Sequence, residues 1–290
     1  MAAAATAAEE MRWAVDRLAG VPDPAREAWE LWAAVSGRTL ADAWLRRDHV
    51  SPQRLRAPYR EAVARRAVGE PLAYVVRRAA FRLLELRMDR RVLIPRPETE
   101  GLVEHVLRWA HARWGDAEWG EVLDVGTGSG CIALSLAAEG RFRRVVGVDL
   151  SEEALAVARI NLTAAARPVR SKVQLVRGDL FPAEPARFDA LVSNPPYVTA
   201  REWDELPPDV RLFEPREALV SGDDGLHHTR ALLRAARERL KPGGLVGMEI
   251  DSRRAEPVMA LALEAGWPGA RIEQDLFGKP RYLLATKEMA

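Results

Sequence analysis

The sequence predicts an α/β fold, a mostly parallel sheet covered by helices, with a small helical domain ahead of it. Three observations carry that expectation. After Gly120, short apolar runs alternate with helical stripes. Gly126, Gly128 and Gly130 crowd the turn between the first such run and its helix. Residues 1–72 show helical periodicity and no strand-like alternation.

The first helix is announced by Thr6 and Glu9 at capping-box spacing, followed by Met11, Val15 and Leu18 up to Gly20. Asp23-Pro24 supplies an N-cap with proline in the first turn, and the stripe Ala28, Leu31, Trp32, Val35 stops at Gly37. Thr39 and Ser51-Pro52 open further short helices, and another is expected over 58–68, ending at Gly69. Trp13, Trp29, Trp32 and Trp44 are the expected packing anchors of this bundle. Residues 73–95 mix β-branched and aromatic residues with arginine, which predicts a hairpin or extended linker. Six arginines face two acidic residues there, a solvated face or a hold for an acidic or RNA-associated partner. A helix then starts at Pro97 or Thr99 and runs through Leu102, Val106 and Trp109.

Within 96–290, the domain that holds the sheet, strands are expected at 122–125, 145–148, 173–176, 188–192 and 245–250. Ile272 and residues 282–285 make a last pair, read as an antiparallel edge. Helices are expected at 132–138, at 152–166 behind the cap Ser151, at 226–240 closed by Pro242-Gly243-Gly244, and at 255–265. Ligands of such a sheet bind at the carboxyl ends of its strands.

A net charge of +1 weighs against a reader of duplex DNA. Hydrophobic content of 48% against 29% charged residues argues against large-scale disorder. One cysteine rules out an internal disulfide and suits a reducing compartment; neither a secretory pattern nor a membrane-length apolar run is present, so the cytoplasm is the expected location.

The chemistry lies in four segments. Asp124-Val125-Gly126-Thr127-Gly128-Ser129-Gly130 leaves a strand and enters a helix, and its glycines permit close backbone approach to a nucleotide-type cofactor. Cys131 stands where a dinucleotide fingerprint would place its third glycine, which weakens a nicotinamide reading. Asp149 closes the second strand, where a carboxylate can accept both hydroxyls of a ribose; the alternative duty, capping the next helix, is already met by Ser151. Asp179, in Gly178-Asp179-Leu180-Phe181, is placed to receive an adenine amino group with Leu180 against the ring, or is a simple turn residue.

The fourth segment is Asn194-Pro195-Pro196-Tyr197. Two prolines bring no N–H, so nearby carbonyls stay free to accept; Asn194 adds a side-chain carbonyl and Tyr197 a flat ring. That makes a clamp for a planar NH2 group, against the bland alternative of a proline-stiffened loop. Asn194 and Pro195 would accept the two N–H groups and direct the nitrogen at its electrophile. Cys131 begins a helix, where a thiol pKa can fall, but has no evident His partner, and His227-His228 lacks ligand spacing, so no metal is expected. Arg211 and Glu214 are expected to order the loop after the clamp by pairing.

Taken together these segments resemble class I S-adenosylmethionine-dependent methyltransferases that act on an amino or amide nitrogen. Pro71-Leu72-Ala73-Tyr74, the segment 93–100, residues 209–215, Asp275-Leu276-Phe277-Gly278 with Arg281, and the helical domain are similar to the release-factor glutamine methyltransferases, the HemK/PrmC family, over essentially the whole chain. The resemblance implies a Rossmann-like fold, S-adenosyl-L-methionine as cofactor, and as substrate the glutamine of the Gly-Gly-Gln loop of class 1 peptide chain release factors, methylated on N5. It implies cofactor contacts at Gly126, Thr127, Gly128, Ser129, Gly130, Asp149, Leu180 and Asn194, and a substrate grip at Asn194, Pro195, Pro196 and Tyr197. The chain departs from the family at Arg77, usually glycine, at Arg82, usually aromatic, and at Asp251, where glycine commonly follows Glu249-Ile250.

Three rival readings compete. A nucleic-acid amino-group methyltransferase would use the same clamp on a flipped adenine or guanine, but near-neutral charge and a compact bundle argue against it. A cofactor-binding regulator without catalysis and a Rossmann oxidoreductase are the others. No sequence-specific nucleic-acid binding and no membrane contact are expected.

Overall fold

The computed structural model describes residues 6–183 and 186–289. The chain forms two compact units: one runs to Arg78 and takes in Pro207–Phe213, and the other comprises Ala79–Leu206 and the chain from Glu214 onward.

The first unit is helical. Thr6 closes a full capping box over α1 (Ala7–Arg17), its Oγ1 accepting from the Glu9 N–H while Glu9 accepts from the Thr6 N–H. Asp23 caps α2 (Pro24–Ser36), which ends on Gly37 in the left-handed region, and Thr39 caps α3 (Leu40–Leu45). The two short helices expected around residue 58 are one, α4 (Gln53–Ala67). Pro58 forfeits a single backbone hydrogen bond there, and burial of Tyr59, Ala62 and Val63 against Ala28, Leu31 and Trp32 offsets that loss. Trp32 meets Tyr59 edge to face at 5.0 Å, and the Tyr59 hydroxyl donates to the Ala28 carbonyl. Trp44 is not an anchor: it is 51% exposed, with the Arg47 guanidinium over its ring. Tyr74 belongs to a short helix, α5 (Leu72–Val75), where extended chain was expected. The unit also contains α11 (Pro208–Phe213).

The second unit, from Ala79 on, opens on the expected hairpin of β1 (Arg78–Phe81), whose first residue ends the first unit, and β2 (Leu84–Arg87). Arg82 at its turn holds φ at +50°, and its guanidinium pairs with Glu104 and Glu139. This part of the arginine excess is thus an internal ion-pair cluster and not a solvated face. Then follow α6 (Pro97–Trp114), β3 (Trp119–Val125), α7 (Cys131–Glu139), β4 (Phe142–Asp149), α8 (Glu152–Ala164), α9 (Arg167–Arg170), β5 (Val173–Arg177), β6 (Phe188–Ser193) and α10 (Ala200–Glu205). After the loop come α12 (His227–Arg239), β7 (Leu240–Glu249), α13 (Ala255–Glu264), β8 (Arg271–Gln274) and β9 (Pro280–Thr286).

The sheet order is β5-β4-β3-β6-β7-β9-β8. The first five strands are parallel, β9 lies antiparallel to β7, and β8 antiparallel to β9. The chain enters at β3, builds outward through β4 and β5, then returns to build the other way from β6. That reversal leaves a crevice beyond the carboxyl ends of β3, β4 and β6. Strand periodicity places Leu123, Val125, Val146, Val148, Val246 and Met248 in one core with Leu232, Leu233, Val258 and Trp267 of the helices. Pro242-Gly243-Gly244 does not separate helix from strand as expected; it lies within β7, where Gly243 donates to the Lys287 carbonyl and Gly244 accepts from the Lys287 N–H. Gly243 at φ +71° and a register shift between Phe188 and Ala190 absorb the irregularity. Among the described residues no helix is long and apolar enough to cross a membrane.

Candidate active site

A cavity of about 260 Å³ lies in the second unit at the crevice. Gly126, Gly128, Asp149, Asp179, Leu180, Asn194, Pro195 and Pro196 line it, so residues far apart in sequence meet as expected. Thr127, Ser129, Gly130 and Tyr197 do not line it. The reason is the shape of the turn after β3. Gly126 and Gly128 take φ of +71° and +54°, a geometry that sends the intervening side chains into the protein. Thr127 donates from Oγ1 to Asp124 at 2.6 Å, Ser129 is buried, and Gly130 serves as the N-cap of α7. A Cβ on Gly126 would meet nothing within 4 Å, and one on Gly128 only the Gly126 carbonyl at 3.9 Å. A ligand can therefore approach the backbone of this turn closely.

Asp124 anchors the turn from below. One of its oxygens accepts from Thr127 Oγ1 and from the Ala133 N–H, while the other is buried without a hydrogen-bond partner among the described residues. Burial pushes its carboxyl up to about 7. Asp149, at the end of β4, accepts from the Gly128 N–H at 2.8 Å and the Ser151 N–H at 2.9 Å, which fixes its plane at the cavity wall. Burial raises this carboxyl as well. Ligand hydroxyls donating to it would favour its ionised form. Ser151 caps α8, as expected.

Leu180 is the one cavity-lining residue besides glycine with a positive φ, +62°, a strained backbone that turns the chain back beneath the cavity. Leu150, directly after Asp149, is 62% exposed and lines the same space, an apolar wall that sequence reasoning missed. An exposed leucine at a strand end was the available signal. His228 was also missed as a lining residue; its ring shares a hydrogen bond with Ser221 Oγ, and burial lowers its pKa. Burial pushes the Cys131 thiol up to about 12, against the lowering that a helix start can produce. No group of His, Cys, Asp or Glu that could hold a metal is found among the described residues.

At the end of β6, Asn194 donates from Nδ2 to Thr99 Oγ1 at 3.1 Å. Its Oδ1 has no donor among the described residues, and neither does the Pro195 or the Pro196 carbonyl. Tyr197 secures the segment from its far side, its N–H donating to the Leu219 carbonyl, and burial raises its phenol pKa. Glu214 is held by Arg96 at 2.6 Å and by the Ile94 N–H, so it ties the loop after the clamp to the segment before α6. Arg211 falls in the first unit. Asp251, where the family commonly has glycine, accepts from Arg253 N–H and pairs with Arg253 and Arg254, which pins the turn after β7.

This sheet order, with a glycine turn and an acidic strand end at its switch point, defines a class I methyltransferase fold. A methyltransferase from Pyrococcus furiosus shares it at a TM-score of 0.52 and 19% identity, covering 78% of this chain and 98% of that one. Residues 109–207 match the methyltransferase small domain family and residues 9–76 match the PrmC N-terminal domain. The release factor glutamine methyltransferase of Cereibacter sphaeroides is 40% identical over 281 residues, 96% of this chain and 98% of its own length. That of Streptomyces coelicolor is 39% identical over 287 residues, 97% and 98% of the two chains. The chain belongs to the release factor glutamine methyltransferase family.

Proposed function

We propose that this enzyme transfers a methyl group from S-adenosyl-L-methionine to the side-chain amide nitrogen, N5, of the glutamine in the Gly-Gly-Gln loop of class 1 peptide chain release factors. One observation carries the reading: Asn194 Nδ2 is already engaged by Thr99, which leaves Asn194 Oδ1 beside the open Pro195 carbonyl as a pair of acceptors at the cavity.

The cofactor would be held along the turn of Gly126 and Gly128, with Asp149 on its ribose, Asp179 on the adenine amino group, and Leu180 and Leu150 against the ring. Thr127, Ser129 and Gly130 shape that turn from behind. When bound, the cofactor supplies an electrophilic methyl on a sulfonium. The protein must do the rest, because a carboxamide nitrogen is a poor nucleophile whose lone pair is delocalised into its carbonyl. Asn194 Oδ1 and the Pro195 carbonyl accept its two N–H groups and hold the nitrogen in line, a constraint worth about 7 to 11 kcal/mol when reacting atoms are held at roughly 3 to 3.5 Å. The same oxygens stabilise the positive charge that grows on nitrogen as the new bond forms. Pro196 keeps the backbone rigid between those acceptors and Tyr197, which anchors the segment through its N–H on the Leu219 carbonyl and, lying outside the cavity lining, does not take the stacking role that the sequence suggests. The proton leaves to water after transfer. Residues 1–72 are read as the docking domain for the body of the release factor, 73–95 as a linker and 96–290 as the catalytic domain.

Mass spectrometry of a purified release factor incubated with enzyme and methyl-labelled cofactor tests this. One labelled methyl on the Gly-Gly-Gln glutamine is expected. Label on another residue, or only on added RNA, would overturn the reading.

A further inference from the structure

Resting on that reading of the clamp, we infer that Thr99 and Glu249 are positioning residues: together they decide which end of the Asn194 carboxamide faces the cavity. Three elements meet at this point. Thr99 is the third residue of α6, Glu249 ends β7, and Asn194 follows β6, whose Ser193 is in parallel register with Met248. Thr99 Oγ1 donates to Glu249 Oε2 at 2.6 Å and accepts from Asn194 Nδ2 at 3.1 Å. Thr99 and Glu249 are 2% and 1% exposed, and neither lines the cavity. They therefore act through Asn194 and do not touch the substrate.

Proton counting sets the direction of this hydrogen-bonded chain. A hydroxyl has one proton. Once it is given to the Glu249 carboxylate, Thr99 can only accept from Asn194, so it must face the amide nitrogen and Oδ1 must face outward. Reversing the chain would turn Nδ2 toward a substrate that also brings N–H groups, and donor would face donor. A buried chain with every proton assigned has one low-energy arrangement. The partners are held in place by packing: the Tyr282 hydroxyl donates to the Glu98 carbonyl at 2.6 Å, and Gly101 allows it, since a Cβ there would lie 2.2 Å from the Tyr282 oxygen.

The same proton count makes the clamp sensitive to pH. Burial pushes Glu249 up to about 7. The charged and titratable groups that act on it, or feel it, come from every neighbouring element: Arg96 and Glu98 at the start of α6, Arg281 and Tyr282 on β9, Tyr197 after β6, and Cys131 on α7. A protonated Glu249 donates to Thr99, the Thr99 proton turns to Asn194, and Oδ1 is drawn inward.

Four proteins test the relay: the wild type, Thr99→Val, Thr99→Ser and Glu249→Gln. Thr99→Val keeps the shape and removes the hydroxyl, so kcat should fall by about tenfold or more while KM and cofactor affinity stay within about twofold. Thr99→Ser restores the hydroxyl and should return kcat to within about threefold of wild type. The fall of kcat on the acid side of about pH 7 should vanish in Glu249→Gln, whose amide does not titrate. The Asn194 Nδ2 protons, followed by amide NMR without substrate, should exchange slowly in wild type and Thr99→Ser and fast in Thr99→Val. Unchanged kcat in Thr99→Val, equal losses in the valine and serine variants, or equal exchange in all would overturn the relay. If the wild type leaves the Gly-Gly-Gln glutamine unlabelled while the exchange pattern holds, the substrate assignment fails and the relay stands.

Discussion

In the proposed reaction Asn194 acts through its carbonyl oxygen, the polar atom of its side chain left without a partner among the described residues. Asn194→Ala should lower kcat by about a hundredfold to a thousandfold, the usual cost of losing one oriented group at a reacting centre, with cofactor affinity nearly unchanged by calorimetry. Equal loss of both would show that the residue serves the cofactor instead. The buried carboxyls make a second prediction at this scale. Asp124 and Glu249 are both pushed up to about 7 by burial, from ordinary values of 3.8 and 4.5. The native state therefore binds more protons than the unfolded chain between the ordinary carboxylate range and about 7, so these groups stabilise most in acid and lose that contribution as pH rises through the window. Thermal unfolding should show it as a Tm that declines from about pH 5 to 7, with a shallower decline in Glu249→Gln. That Asn194 and Asp149 line the cavity was legible from sequence because each sits at a strand end, where ligands of such a sheet bind. Thr99 was legible only as a helix start, since its partner Glu249 lies 150 positions away.

The turn from β3 into α7 leaves open space over its backbone at the cavity, which is where the proposed function puts the cofactor. Its glycines were readable because positive φ and close approach leave few other residues possible, and the structure gives Gly126 that geometry with open space before its missing side chain. Gly126→Ala should cost about 1 kcal/mol of stability through its left-handed backbone. It should also weaken cofactor binding by about tenfold or more, because the new methyl occupies the ligand's space. Calorimetry alongside thermal melts separates the two effects. Which of the turn's residues face the cavity was not readable: Thr127 and Ser129 are buried while Gly126 and Gly128, at positive φ, face the cavity, because successive residues of the turn fall on opposite sides. Local rules also failed where packing outweighed them. Pro58 sits inside α4 because buried Tyr59 and Val63 hold that helix in place, and Pro242-Gly243-Gly244 lies in β7 with Lys287, just past β9, pairing with both glycines. Arg82 shows the same at the hairpin, where ion pairs accompany a positive φ.

At the scale of the whole chain, a helical unit accompanies a unit that contains every residue lining the cavity. If the helical unit docks the release factor, deleting residues 1–72 should raise KM for the intact protein substrate but not for a short Gly-Gly-Gln peptide, and leave cofactor affinity alone. A rise for both substrates would show instead that the deletion damages the clamp. The sequence alone determined the alternation of strands and helices, the glycine turn, the acid that ends β4 and the tetrapeptide after β6, because these depend on hydrophobic period and on backbone constraints that act within a few residues. Only the tertiary structure decided which carbonyls stay free, which carboxyls lose their solvent, and which way the Asn194 amide turns. Those properties depend on what a side chain meets across the sheet, and proton count and desolvation are set by neighbours in space, not by neighbours along the chain.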